Sequence, residues 1–391
     1  MNILMVHPHD LFARSEPWTI RILSLAKEFS KSGNSVKLCY FPVLLGAKHG
    51  PVNIDGVECI ALDRTPSLGS FFKNTCRLAN LGKWADIVHF QKCHYYAALP
   101  AVISAYLNKK ALHYDWDDWE EKIWYESCGK SLNSRVVGLS FNLLERWLPA
   151  LSDSVSCASN YLKELTKKLG IKEDYIFDAP VGADLVKFNL GLNDSRIKEK
   201  YHIPENEHIV LYIGQLHGAQ YVELLIRAAN IVLQKHSDVK FMIVGEGFLE
   251  RQLRQLVRNL ELEKKIIFTG AVSHDEIPFY ISSASVCAAP FKDTEVTRCK
   301  SPLKIVEYMA TGKAIVASNV GEVSKMLGGV GMLTASGDHR DLARGIIVLL
   351  EDNQLRKDLG LVARKRVEYK YNWSYTAQNL LRAYHKIIKQ K

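Results

Sequence analysis

Short runs of Val, Ile and Leu alternate along this chain with longer segments of helical period, and that alternation is what most narrows the folds open to it. A run that is apolar throughout, not at every second position, suits a strand covered on both faces. Helices must then lie on both sides of a parallel sheet. In the first half the pattern predicts strands over 2–6, 35–41, 57–62, 87–90, 111–114 and 154–157, with helices over 17–32, 70–81, 97–107, 134–151 and 160–168. A second series, with strands over 209–213, 240–244, 266–269, 285–288 and 314–317, follows the turn-rich stretch Asp178-Ala179-Pro180-Val181-Gly182-Ala183-Asp184. A chain of 391 residues is too long for one core, so two doubly wound α/β domains are expected. Their bounds are set at 1–184 and 185–370, leaving 371–391 as a terminal helix able to cross back to the first domain.

Several classes drop out. The opening Met1-Asn2-Ile3-Leu4-Met5-Val6 has neither a basic leader nor a cleavage site, and the most apolar stretch, 97–107, is too short to span a bilayer. The eight cysteines lie far apart with no C-x-x-C pair, which predicts reduced thiols in a cytoplasmic protein. The formal net charge of +9 calls for an anionic partner: nucleic acid, an acidic membrane surface or a phosphorylated small molecule. Nucleic acid has the least support, since the only Lys/Arg tract is Arg364-Lys365-Arg366 and no recognition-helix motif accompanies it.

Ligands of open α/β sheets bind beyond the carboxyl ends of the strands. In the second half those ends carry Gly214-Gln215-Leu216, Gly245-Glu246-Gly247, Gly270, Pro290-Phe291 and the run Ser301-Pro302-Leu303-Lys304-Ile305-Val306-Glu307. Glycine there lets backbone N–H groups approach an anion, and a helix starting there adds its positive end.

The order of these motifs resembles the GT-B glycosyltransferases, most nearly the retaining family 4 type, over nearly the whole chain. Pro180 to Asp184 with Phe188 is similar to that family's P-N-G-V-D…F junction, Gly214-Gln215-Leu216 to G-R-L, Val244-Gly245-Glu246-Gly247 to V-G-x-G, and Phe268-Thr269-Gly270 to F-x-G. The stretch 301–312 resembles an S-P-L-K-x-x-E-Y-M-A-x-G variant of its nucleotide-binding segment, and Tyr371-Asn372-Trp373-Ser374 the start of its terminal helix. The resemblance implies two Rossmann-like domains facing a central cleft, the second binding a UDP-, GDP- or ADP-sugar donor and the first an acceptor. It implies metal-independent transfer to a glycan or lipid-linked hydroxyl in polysaccharide or glycoconjugate assembly, with no cofactor. Gly214, Gln215, Gly245, Glu246, Arg298, Lys300, Ser301, Leu303, Lys304 and Glu307 are then the donor-binding candidates, Glu307 holding the ribose and Lys304 the phosphates. As an isolated residue, Glu307 would instead read as a helix-start glutamate complementing the dipole.

The chain also departs from that pattern. Gln215 stands where the family carries an Arg, 217–221 offers no Lys, and Cys299 replaces the first glutamate of an E-x7-E spacing. Two cations are thus missing from the expected phosphate cradle, with Lys304, Lys300 and Arg298 as substitutes. The alternative is a GT-B pseudoenzyme partner or an epimerase-like sugar nucleotide enzyme.

In the first domain, Arg14 and Trp18 follow the first strand, either lining the cleft or packing a loop; His94 follows the strand at 87–90. Asp117 occupies the slot of a sugar-contacting histidine in that family, as a catalytic carboxylate or as part of a helix-capping cluster. The segment 70–84 sets Phe71, Phe72, Leu78 and Leu81 beside Lys73, Arg77 and Lys83, the pattern of a helix touching anionic lipid on the inner face of a membrane or of one covering its own sheet.

Overall fold

The computed structural model describes all residues except 13–15, 44–50, 129–130, 193–194 and 219–220. The Arg14 candidate lies outside the described residues. The chain divides into two units, Met1–Val181 with Cys299–Ser301 and Trp373–Lys391, and Gly182–Arg298 with Pro302–Asn372.

The first unit holds β1 (Asn2–Val6), β2 (Ser35–Tyr40), β3 (Val52–Ile54), β4 (Val57–Ala61), β5 (Ile87–Gln91), β6 (Ala111–Trp116), β7 (Ser154–Cys157) and β8 (Ile176–Asp178). They form one sheet in the order β3-β4-β2-β1-β5-β6-β7-β8, parallel except for the β3–β4 pair. The chain runs outward from β1 to β4, then returns to build from β5 the other way. The crevice at the β1 and β5 carboxyl ends is therefore a topological switch point. One face of the sheet is covered by helices Leu68–Trp84, Tyr95–Leu107 and Leu132–Leu151, which share a core with Val6, Phe90 and Tyr114. Helices Pro17–Lys31 and Trp373–Ile388 pack together, and Tyr384 of the terminal helix meets His89 of β5 at 2.6 Å.

The second unit holds β9 (His208–Ile213), β10 (Val239–Val244), β11 (Ile266–Gly270), β12 (Val286–Ala289), β13 (Ile315–Ser318) and β14 (Met332–Thr334). Their order is β11-β10-β9-β12-β13-β14, all parallel, with the switch point between β9 and β12.

Four of the elements that escape the sequence pattern do so for physical reasons. β3 and β14 span three residues each, too few to show a period; β3 pairs with β4 across Asp55-Gly56, both at positive φ, the signature of a tight hairpin turn. β8 is equally short. Helix Glu120–Ser127 has no buried residue. It is started by Glu145 of helix Leu132–Leu151, whose carboxylate accepts the backbone N–H of Glu120 at 2.8 Å and of Glu121 at 3.2 Å. The helix at 68–84 turns Leu78 and Gly82 inward; a Cβ on Gly82 would fall 2.4 Å from Ser104 Oγ, so the two helices touch closely there.

Candidate functional site

In the second unit three strand ends are stitched together by backbone. Gly214 N–H donates to Val244 O (3.0 Å), Leu216 N–H to Glu246 O (2.9 Å) and Gly245 N–H to Gly270 O (2.9 Å). Gly245 has a φ of 133°, and a Cβ there would lie 2.0 Å from Gly214 O; a Cβ on Gly247 would lie 2.2 Å from Leu216 O. Only glycine fits. At Gly214 (φ 149°) a Cβ would lie 2.6 Å from Lys304 Nζ, so the ammonium rests directly over that turn.

Lys304 stands in the first turn of helix Leu303–Ala310, whose N-cap, Pro302, has no side-chain acceptor for the first-turn N–H groups. Its Nζ lies 4.1 Å from the centroid of the Tyr212 ring and 5.8 Å from that of Phe291. The helix is fixed to the sheet by Tyr308, whose hydroxyl accepts the Ile213 N–H at 2.9 Å. A cation and the first-turn N–H groups at the positive end of a helix thus share one strand-end crevice, the arrangement that binds anions.

One turn on, Glu307 is 4% exposed, and its Oε1 lies 2.7 Å from His274 Nε2. His274 Nδ1 in turn lies 2.8 Å from Lys187 Nζ, and Lys187 reaches Asp275 at 2.7 Å. An ammonium only donates. Nδ1 must therefore accept, leaving Nε2 to carry the proton that is donated to Glu307. Sequence reasoning missed both His274 and Lys187, although His274 lies in the loop after β11, where the strand-end rule directs attention.

The remaining donor candidates are placed differently. Gln215 Oε1 meets His217 Nε2 at 2.7 Å, and Glu246 joins through its backbone oxygen. Leu303 is buried. Arg298, offered as a substitute cation, is taken up by Asp293 in a two-pronged pair at 2.6 and 2.9 Å. Lys300 and Ser301 belong to the first unit: Ser301 Oγ accepts the Val181 N–H at 3.3 Å, and Lys300 faces the negative field of Asp118, Glu126 and Glu120, with burial pulling its pKa below the usual value.

In the first unit the switch point holds a second polar cluster. β6 runs through Trp116, so Asp115 lies inside the sheet, where Arg21 grips it with two bonds of 2.8 Å and Ser156 adds one of 2.6 Å. Asp117 emerges at the strand end, accepting from Gln91 Nε2 at 2.6 Å and lying 3.5 Å from Lys92 Nζ. Gln91 also meets His7 Nδ1 at 2.8 Å, and Lys92 pairs with Glu120 and Asp118. Among the described residues, Asp117 Oδ1 and His94 Nε2 are buried without a hydrogen-bond partner. Burial pushes the Asp117 carboxyl up to about 7, against the opposing pull of Lys92, while burial depresses His94 to about 3. His9, missed by sequence reasoning, packs against both Trp18 (5.4 Å) and His94 (4.9 Å). The helix-capping reading of Asp117 is overturned, because Glu145 performs that task. Trp18, His94 and Asp117 are thus gathered by β1, β5 and β6.

Residues 193–366 match the family described as Glycosyl transferases group 1. The chain is 26% identical over 298 residues to the N-acetyl-alpha-D-glucosaminyl L-malate synthase of Bacillus anthracis, covering 74% of each chain. Over 195 residues it is 27% identical to the alpha-D-kanosaminyltransferase of Streptomyces kanamyceticus, covering 49% of each; the chain spans about half the length of several curated relatives it matches. Among solved structures, Anabaena HepE in complex with UDP and glucose superposes with a TM-score of 0.75 at 19% identity, covering 99% of this chain and 100% of that one. Residues 193–366 are therefore a glycosyl transferases group 1 domain, a transferase-enzyme domain, in a chain whose two Rossmann-like units have the GT-B fold.

Proposed function

We propose that this chain transfers a sugar from a nucleoside diphosphate sugar to a hydroxyl of a glycan or lipid-linked acceptor, with retention of anomeric configuration. The observation that carries the reading is Lys304 Nζ over the Gly214 turn: Gln215 stands where the family that the chain resembles carries an Arg, and a lysine from the neighbouring helix supplies positive charge at the same turn. In transfer the bond from the anomeric carbon to the diphosphate breaks, a new one forms to the acceptor oxygen, and the diphosphate gains negative charge. Lys304 and the first-turn N–H groups of its helix are preorganised for that charge, and such donors supply the largest share of catalysis in reactions of this kind. Glu307 keeps one carboxylate oxygen on His274 and presents the other to the ribose hydroxyls. The UDP and glucose held by HepE support a uridine nucleotide as the first donor to try.

In the first unit, Asp117 is the carboxyl suited to accept the acceptor's proton. A group that titrates near 7 is ionised often enough to act as a base and basic enough to hold the proton. Trp18 and His94 beside it offer flat, partly apolar surfaces for a sugar ring.

The test is a transfer and hydrolysis assay across UDP-, GDP- and ADP-sugars with the wild type, Lys304→Ala and Asp117→Asn. The reading expects one donor to be consumed and both substitutions to slow its consumption. Consumption of none, with or without added acceptor, overturns it in favour of a non-transferring GT-B protein; isomerisation of the sugar without loss of diphosphate identifies the epimerase-like alternative.

A further inference from the structure

At the end of β5 two consecutive side chains reach the same carboxylate. Successive side chains of a strand point to opposite faces, yet Gln91 Nε2 donates to Asp117 Oδ2 at 2.6 Å and the next residue, Lys92, sets its Nζ 3.5 Å from Asp117 Oδ1. The backbone breaks the alternation between them. Lys92 has a φ of 66°, a left-handed conformation that costs a residue bearing a side chain. Strain of this kind persists where the surroundings impose it, and it gathers at functional sites. Here the Lys92 N–H donates to Asp115 O at 3.3 Å, and the side chain, 2% exposed, lies over the Trp18 ring with Nζ 5.0 Å from the centroid.

The two oxygens of Asp117 are thus served by different kinds of group. Oδ2 is held by an amide whose orientation is itself fixed: Gln91 Nε2 donates to Asp117 and to Trp18 O at 3.3 Å, so Gln91 Oε1 accepts the His7 Nδ1–H at 2.8 Å. His7 Nε2 then accepts from the Thr19 hydroxyl at 3.3 Å. Burial lowers His7 to about 3, so this series of bonds is uncharged near neutral pH. Oδ1, without a hydrogen bond among the described residues, faces the Lys92 ammonium. Lys92 is shared, for it also pairs with Glu120 and lies 3.5 Å from Asp118. The other charges near Asp117 are Asp118 and the Arg21–Asp115 pair; Lys300 faces Asp118 and Glu120, and His94, 4.0 Å from Glu120, is kept neutral by burial. Since Arg21 is spent on Asp115, Lys92 is the cation that bears most on Asp117.

We propose that Lys92 is a positioning residue of the transfer reaction: with Gln91 it fixes the Asp117 carboxylate so that Oδ2 is tied down and Oδ1 is left to take the acceptor's proton. The inference rests on the transfer reading and deepens it by naming what equips its base. In that step the acceptor O–H bond breaks and its proton passes to Oδ1. The electron pair left on oxygen forms the bond to the anomeric carbon, and the pair of the broken sugar–phosphate bond leaves on the diphosphate. An ammonium at this distance favours the carboxylate form without a hydrogen bond on Oδ1, whose lone pairs stay available. Sharing its charge among three carboxylates limits the pull, so the base stays strong enough to keep the proton.

The test is the pH dependence of transfer in Lys92→Met, Lys92→Arg and Glu120→Gln, read beside the titration of the Asp117 carboxyl by carbon-13 NMR of the aspartate-labelled free protein, with Asp117→Asn assigning its resonance. In the wild type both should centre on about 7. Lys92→Met should move both up by about one pH unit or more, so that kcat at neutral pH falls about fivefold and recovers in alkaline buffer. Lys92→Arg should stay within about twofold of the wild type. Glu120→Gln, similar in size to the residue it replaces, relieves Lys92 of a competing charge and should move both down; donor KM should be unchanged in all three. Lys92→Met/Asp117→Asn should be no slower than Asp117→Asn, because Lys92 acts through that carboxylate. A Lys92→Met rate lowered by one factor at every pH, an unmoved titration, or additive losses in the double variant would overturn the proposal. A wild type that consumes no donor overturns the transfer reading instead, and the NMR titration still decides whether Lys92 governs Asp117.

Discussion

Replacing Gly245 by Ala isolates the contribution of the stitched strand ends, because Gly270 offers a matched control. Both glycines have positive φ, 133° and 73°, but a Cβ at 245 would lie 2.0 Å from Gly214 O, whereas at 270 nothing lies within 4 Å. Gly270→Ala therefore pays only for backbone strain, about 1–2 kcal/mol for a single residue in left-handed conformation. Gly245→Ala incurs comparable strain and must also move a backbone oxygen, which no side-chain rotation can relieve. Parting the two loops threatens the Gly214 to Val244 and Leu216 to Glu246 bonds, each worth about 1 kcal/mol. A total near 3–5 kcal/mol follows. Urea denaturation followed by far-UV circular dichroism should show a clearly larger loss for Gly245→Ala, and titration with a nucleotide sugar should show weaker binding for Gly245→Ala beyond its loss of stability. Equal losses at the two positions would refute the claim that these loops are held in contact.

Other substitutions probe the polar clusters. Lys187→Ala and His274→Ala should each raise the donor KM several-fold with little change in kcat, with His274→Gln recovering part of the loss through its amide donor; unchanged KM would remove the relay from the donor site. With the Asp117 carboxyl raised to about 7, the transfer rate should climb with pH through 7 and level off, and Asp117→Asn should abolish that limb. The same raised value means that the folded chain retains a proton which the unfolded chain releases between about pH 4 and 7. This residue's contribution to stability therefore falls across that window, and the Asn variant should lack the slope. Arg21→Met should cost about 3–5 kcal/mol by leaving the Asp115 carboxylate buried and unpaired, and Arg21→Met/Asp115→Leu should recover most of it. Because the Arg21 guanidinium holds Asp115 well below the usual carboxylate range, the pair's contribution is present above pH 4 and is lost on acidification.

The parts of this structure written in local pattern were readable from sequence. β1, β5 and β9 are largely apolar because both their faces are covered, and the glycines at 214 and 245 mark places where a Cβ would strike the Lys304 ammonium and the Gly214 carbonyl oxygen, respectively. Lys304 and Glu307 were reached through the resemblance of 301–312 to a nucleotide-binding segment. What escaped depends on contacts distant in sequence: Glu145 starting a helix 25 residues upstream, His274 reaching Glu307 from the loop after β11, and Lys92 drawing three carboxylates together. Charge alone misled twice. Arg298 is committed to Asp293, and Lys300, which belongs to the first unit, to the acidic field of Asp118, Glu126 and Glu120 in that same unit. Neither partner could be inferred from a count of basic residues near the motif.

The central claim is that Lys304 stands in for the missing arginine of the phosphate cradle. Calorimetric titration of the wild type, Lys304→Ala and Glu307→Ala with UDP, GDP and ADP, each with and without its sugar, tests it most directly. One nucleotide should bind, and Lys304→Ala should weaken it roughly ten- to a hundredfold, as loss of a charge-assisted contact of ~1.5–3 kcal/mol requires. Binding by the wild type that Lys304→Ala leaves unchanged would contradict the claim, whatever the chain's activity proves to be.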